Sequence, residues 1–189
     1  MDNNHCLQQL KKHPIIASLC DTELANDLCL SNVKMAVIMC GDLKTLPEII
    51  KTVSDAGIYT LVYLDFIEGL SGRDGAVDFV KYYTCADGIV TTKSNQVRRA
   101  HSLNLFAEQR YFVFDLISEK MIKKSIDSSY ADFVEILPGT IEQVVRYMSK
   151  GLNKPLIVGG FINTESDIKN ALSWGAAGIT TSIPDIWYL

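Results

Sequence analysis

Residues 156–182 read LIVGGFINTESDIKNALSWGAAGITTS. An apolar run (156–158) leads into Gly159-Gly160, then a polar start signal, then a second apolar run (178–180). Thr164-Glu-Ser-Asp167 has the form of a capping box, in which the Thr hydroxyl takes a free N–H of the first helical turn and the acid reaches back. Ile168, Ala171 and Leu172 then share one helical face, and Gly175 is placed to end the helix. The segment reads as strand, helix, strand.

The same rhythm runs along the chain. Apolar, β-branched runs recur at 15–19, 35–39, 59–64, 88–90, 111–114, 133–137, 156–158 and 178–180. Their starts are about 20 to 29 residues apart, the length of a minimal strand–helix unit. Most are apolar throughout and do not alternate, the pattern of strands buried on both faces in a parallel sheet. Thr45-Leu-Pro-Glu48 and Thr140-Ile-Glu-Gln143 read as further capping boxes. Eight strands alternating with helices predict a closed barrel, with an open doubly wound sheet as the competitor. Two echoes favour the barrel. Ala86-Asp-Gly-Ile-Val-Thr-Thr92 resembles Ala176-Ala-Gly-Ile-Thr-Thr-Ser182 four units later, and Phe66-Ile67 resembles Phe161-Ile162. No linker or charge block divides the chain. The expectation is a compact single-domain (β/α)8 TIM-type barrel over residues 1–189, its last helix truncated to a stub around 185–189.

Composition narrows the class. Of 189 residues 48% are hydrophobic and 21% charged, which excludes a disordered tail. No apolar stretch approaches a bilayer span, and the Met-Asp-Asn-Asn-His start lacks the pattern of a signal peptide, so a cytoplasmic protein with no membrane partner is expected. The net charge of −4 argues against a broad nucleic-acid-binding face. Five cysteines without a Cys-x-x-Cys pair read as reduced thiols, mostly in the core. Three histidines without ligand spacing make a zinc site improbable, and no cofactor is expected.

In such a barrel the ligand site lies at the C-terminal strand ends. Gly159 and Gly160 expose backbone N–H groups to a close anion, and Thr180, Thr181 and Ser182 add donors on the neighbouring loop. Phosphate commonly binds between these two loops, which makes the five residues a candidate phosphate site; ordinary turn and strand-end roles are the alternative. Asp65, Thr91, Thr92, Lys93, Glu135, Gly139 and Asn163 follow or end other strands and are candidate ligand contacts. Asp65 and Glu135 could recognise hydroxyls, hold Mg²⁺ or exchange protons, or instead pair with Lys93 and Arg110. No serine elbow, Cys/His pair or histidine base stands at a strand end, and a Schiff base at Lys93 is less expected than an ion pair. Two basic groups are candidates for weak RNA contact: Arg98, Arg99 and Arg110, with Lys93 and His101 nearby, and Lys120, Lys123 and Lys124. Ile186-Trp187-Tyr188-Leu189 reads equally as a subunit contact of a homodimer or as closure of the barrel bottom.

Taken in order, several motifs resemble the glycerol uptake operon antiterminator family. They are Leu64-Asp-Phe-Ile-Glu-Gly-Leu70, Gly88-Ile-Val-Thr-Thr-Lys-Ser94, Gln109-Arg-Tyr-Phe-Val-Phe-Asp115, Asp132-Phe-Val-Glu-Ile-Leu-Pro-Gly139, Gly159-Gly-Phe-Ile-Asn-Thr164 and the closing Ala176–Ser182 segment. The resemblance implies a barrel that binds glycerol 3-phosphate and then acts on leader mRNA, so that transcription passes a terminator ahead of glycerol-utilisation genes. It implies a phosphate on Gly159, Gly160, Thr181 and Ser182, with glycerol hydroxyls near Asp65 or Glu135. The chain departs from the family pattern in three places. Tyr63 stands where histidine is usual, Asn163 where arginine is usual, and Thr91-Thr92-Lys93 replaces Ser-Thr-Arg. Losing the arginine removes a bidentate phosphate donor, which predicts weaker binding or a different effector.

The leading expectation is thus a non-catalytic regulator that takes a small phosphorylated polyol and then RNA. A barrel enzyme, a lyase, isomerase or phosphodiesterase using Asp65, Glu135 and Lys93, is the alternative. A metabolite sensor with a protein partner is the third.

Overall fold

A computed structural model describes residues 3–189, with side chains from Cys6 onward. Helix α1 (Asn3–Lys12) precedes the first strand, β1 (Ile15–Leu19). The chain then runs α2 (Ala25–Leu30), β2 (Met35–Ile38), α3 (Leu46–Asp55), β3 (Tyr59–Tyr63), α4 (Asp74–Tyr83), β4 (Gly88–Thr91) and α5 (Ser94–Ser102). It continues β5 (Phe106–Phe112), α6 (Leu116–Asp127), β6 (Phe133–Leu137), α7 (Glu142–Ser149), β7 (Leu156–Gly159), α8 (Glu165–Ser173) and β8 (Gly178–Thr181), and ends in a 3-10 turn, Pro184–Tyr188.

All strand pairs are parallel and in sequence order, and β8 returns to β1 through Ile15↔Ile179 and Ile16↔Thr180. The sheet is a closed (β/α)8 barrel; the open doubly wound alternative is excluded. Strand parity divides each run into two buried layers, which is why the runs show no polar alternation. Residues such as Ala17, Ile38, Val62, Ile89 and Ile179 face the helices. Ile16, Val37, Leu61, Val90 and Ile157 fill the interior above an edge-to-face pair, Phe106 and Phe133, with centroids 4.7 Å apart. Cys6 and Leu10 of α1 join that interior cluster, so α1 plugs the N-terminal end of the barrel.

Four expectations need correction. Strand β5 starts at Phe106, not at 111, because Glu108 and Arg110 face inward and make its first half look polar. Thr45 does not cap α3 with its side chain; Asp42 instead accepts from the N–H groups of Lys44 (2.9 Å) and Thr45 (2.8 Å). Thr140 does not cap α7; Ile141 stands at the cap position, without a side-chain hydrogen bond. Only the Thr164–Asp167 box forms as read, with Asp167 N–H donating to Thr164 Oγ1 at 3.1 Å.

The C-terminal tetrapeptide does not close the barrel bottom either, since α1 does. Ile186 and Trp187 fill the slot on the barrel's outside that an eighth following helix would cover, and Trp187 Nε1 donates to Thr181 O at 3.0 Å. Asn32 ties the tail down through its backbone N–H to Trp187 O (3.0 Å) and its Nδ2 to Tyr188 O (2.6 Å). Trp187 is fully buried, so Trp187→Ala should cost about 3–5 kcal/mol. Urea unfolding measures this; a loss under about 1 kcal/mol would show that the stub does not seal the barrel.

Candidate functional site

The inward positions of β5, β6 and β8 change from apolar to polar in the upper half of the barrel. Arg110 sits opposite Glu135 in the β5–β6 register. Its Nε donates to Glu135 Oε2, with the two side chains 5% and 0% exposed. Thr180 Oγ1 donates to the other oxygen, Oε1, at 2.5 Å. That bond crosses in front of β7, and only glycine leaves the space: a Cβ on Gly159 would lie 2.1 Å from Thr180 Oγ1 and 2.7 Å from Glu135 Oε1. The guanidinium also lies over the Tyr63 ring, 4.3 Å from its centroid. A desolvated cation on an aromatic face gains roughly 2 kcal/mol.

One layer lower, Glu108 is fully buried, and neither carboxyl oxygen has a hydrogen-bond partner among the described residues. Burial pushes its pKa well above the ordinary value, and the Glu135 carboxylate raises it further. Burial thus favours the neutral, protonated form of Glu108. Burial works against the Arg110 charge, yet the Glu135 carboxylate beside it holds the guanidinium ionised. The interior thus carries one neutralised ion pair over one acid whose neutral form burial favours.

Directly above, the loops after β7 and β8 enclose a cavity of about 140 Å³. Arg110, Thr180 and Ser18 form its polar floor, Met39 and Leu137 line it, and Gly160, Phe161, Ile162, Asn163, Thr181 and Ser182 form its wall. Gly160 (φ 77°) and Phe161 (φ 61°) are successive left-handed residues, a conformation costly for a phenylalanine.

Not every expected donor is free. Thr181 Oγ1 donates to Ile162 O at 2.8 Å, and Thr180 is held by Glu135. The backbone N–H groups of Asn163 (3.1 Å) and Thr164 (2.9 Å) both go to Asp167 Oδ2. The Asn163 and Ser182 side chains are exposed and make no hydrogen bond among the described residues.

Other candidates fall elsewhere. Lys93 pairs with Asp65 at the ends of β4 and β3, and Thr92 Oγ1 donates to Asp65 at 3.4 Å; none of the three lines the cavity. Thr91 faces the helices and donates to Gln96 Oε1 at 2.5 Å. Gly139 is buried, its N–H donating to Gly159 O at 2.6 Å. Asp65, Glu135 and Lys93 therefore do not meet around one cavity. The basic patches are also redrawn. Arg110 is inside the barrel and not on a solvent face; Arg99 pairs with Asp78 at 2.8 Å; Lys123 Nζ donates to carbonyls at the end of α7, Met148 O at 2.7 Å among them. Arg98, Lys120 and Lys124 remain exposed and, among the described residues, without an ion pair.

Arg110 and Ser18 on the cavity floor, and Glu108 beneath it, are polar groups that sequence reasoning did not place in the site. For Arg110 and Glu108 the signal was present in the alternation Phe106-x-Glu108-x-Arg110, which sets both on the face of the inward Phe106. The cysteines are also less buried than expected: Cys6 is in the core with its thiol pushed by burial up to about 12, but Cys20 and Cys85 are exposed. No group of three or more His, Cys, Asp or Glu among the described residues is placed to hold a metal ion. No described helix is long and apolar enough to cross a membrane.

Comparison with known proteins gives one consistent answer. A family profile described as glycerol-3-phosphate responsive antiterminator matches residues 15–187. Uncharacterized protein YgcP of Escherichia coli (strain K12) is 32% identical over 186 residues, covering 97% of this chain and 96% of that one. The crystal structure of a glycerol uptake operon antiterminator regulatory protein from Listeria monocytogenes superposes with a TM-score of 0.86 at 28% identity, over 92% of this chain and 94% of that one. A glycerol uptake operon antiterminator-related protein from Thermotoga maritima gives 0.82 at 27%, over 94% and 99%.

The Glu108 assignment has a measurable sign. Unfolded, the carboxyl titrates near 4.5; folded, it keeps its proton to higher pH. Across that window the folded state binds the extra proton, so stability falls as pH rises. Glutamine does not titrate. Glu108→Gln should therefore gain in Tm over the unaltered protein as pH is raised from 4.5 into the mildly alkaline range. A difference in Tm that does not change with pH would mean that Glu108 is ionised in the folded protein.

Proposed function

We propose, from the premise that the chain belongs to the glycerol-3-phosphate responsive antiterminator family, that it is a regulator whose barrel-top cavity binds a small phosphorylated polyol, glycerol 3-phosphate or a near relative. The observation that carries this is the Arg110 guanidinium on the cavity floor. Its link to Glu135 uses Nε, which leaves terminal N–H groups to face an oxyanion. Ser182 Oγ, the Asn163 amide and the backbone N–H groups at Gly160 and Phe161 would complete the phosphate's contacts, while Thr180 and Thr181 shape the wall. The polyol would lie toward Ser18 and Met39. A volume of about 140 Å³ suits a ligand of this size; it is far below the ~300–1,000 Å³ of sites for drug-sized molecules.

In this reading Arg110, within the Gln109–Asp115 segment that resembles the family, supplies the floor's cation, and the further cation usual at position 163 is absent. Glu135 and Glu108 lie beneath the cavity and act through Arg110, not on the ligand. The loaded protein would then engage leader mRNA. The enzyme alternative needs Asp65, Glu135 and Lys93 around one substrate, and the cavity does not collect them.

Calorimetric titration tests the reading, with glycerol and inorganic phosphate as controls. Saturable heat for glycerol 3-phosphate, much tighter than for either fragment, is the expected outcome; no heat up to millimolar ligand would remove it as effector. Asn163 is exposed, so Asn163→Arg should leave the fold intact and tighten binding about tenfold through one charge-assisted contact. Unchanged affinity in that variant would mean that the phosphate does not sit at the β7–α8 loop.

A further inference from the structure

The lip of the cavity carries exposed rings. Phe114 after β5 is 84% exposed and Phe161 after β7 is 76% exposed, with Ile141 of the intervening loop and Phe112 also open. Phe112 and Phe114 stand nearly parallel, 15° between planes and 6.2 Å between centroids. That separation lies within the ordinary range of an aromatic pair in direct contact, so Phe112 backs Phe114, and the largely exposed Phe114 ring is the surface open to a stacking base.

Free cations stand beside these rings. Lys120 and Lys124 lie one turn apart on the exposed face of α6 and make no ion pair among the described residues. Asp115 is an exposed carboxylate at the start of the same helix, its Oδ1 accepting from the N–H groups of Ile117 (3.0 Å) and Ser118 (2.7 Å), and Glu119 is buried. Unpaired lysines next to exposed rings fit a chain of phosphates bearing unpaired bases.

We propose that this crescent is the RNA-contact face. One unpaired base of a single strand stacks on Phe114, backed by Phe112, Lys120 and Lys124 hold the adjoining phosphates, and Phe161 offers a second stacking surface. The proposal rests on the reading of RNA as partner and adds where and how it binds. It also supplies the link between ligand and RNA, because Phe161 both lines the cavity and stands on the crescent. A second copy of this chain fits the face less well. Twofold pairing of α6 would set Lys120 and Lys124 of one copy against those of the other.

The test uses the full protein, saturating glycerol 3-phosphate and a randomised single-stranded RNA pool enriched by selection on the protein. Fluorescence anisotropy should show about tenfold weaker binding for Phe112→Ala and for Phe114→Ala, the loss expected for one stacked base. The Lys120→Ala/Lys124→Ala double variant should flatten the salt slope by about 1.4, near 0.7 per phosphate on a single strand. Calorimetry of glycerol 3-phosphate should be unchanged in all three. RNA affinity that survives these substitutions, with crosslinks mapping elsewhere, would overturn the crescent and leave the RNA reading standing. No enrichment of any RNA by the unaltered protein would overturn both. A dimer in sedimentation that becomes a monomer with Phe114→Ala would reassign the face to a contact between copies.

Discussion

The Arg110–Glu135 pair inside the barrel is the constraint around which the upper half of the molecule is arranged. Two charges taken out of water cost several kcal/mol each, and their attraction offsets this only when the remaining polar atoms are satisfied. The surroundings do that work. Thr180 donates to the second Glu135 oxygen, the Tyr63 face receives the guanidinium, and burial favours the neutral form of Glu108 over a second negative charge. Gly159 is part of the same arrangement, since any side chain there would break the Thr180–Glu135 contact. Its role is space inside the barrel, and the neighbouring Gly160 supplies the left-handed turn at the cavity wall.

This arrangement places a cation on the cavity floor that does not depend on position 163. A cation fixed on the floor is held rigid by its partners and is ready before a ligand arrives. That fits binding with recognition better than turnover: the buried Glu135 carboxylate is committed to holding Arg110, and the Asp65–Lys93 pair stands apart from the cavity.

Much of this was legible in the sequence, and the failures have physical causes. Runs buried on both faces betray a parallel sheet, so seven of the eight strands were readable within a residue or two. The eighth, β5, was misplaced because charged residues inside a barrel break the apolar run that marks a strand. The same error put Arg110 on the surface. The wall residues Gly160, Asn163, Thr181 and Ser182 were readable because the fold fixes which loops face the ligand, but which of their donors remain free depends on bonds such as Thr181 to Ile162 O that spacing does not reveal. Capping signals were only partly informative: Asp42, three residues before Thr45, took the role expected of it. The tail's apolar pattern showed that Trp187 is buried somewhere; that it lies outside the barrel follows from α1 already filling the bottom.

The most direct test of the account is a crystal structure of the protein with glycerol 3-phosphate bound. The account predicts phosphate oxygens within hydrogen-bond distance of the Arg110 terminal nitrogens and of Ser182 Oγ, with the Arg110–Glu135 pair intact beneath. Phosphate seated on Lys93 at the β4 rim, or on the loops without Arg110, would contradict it.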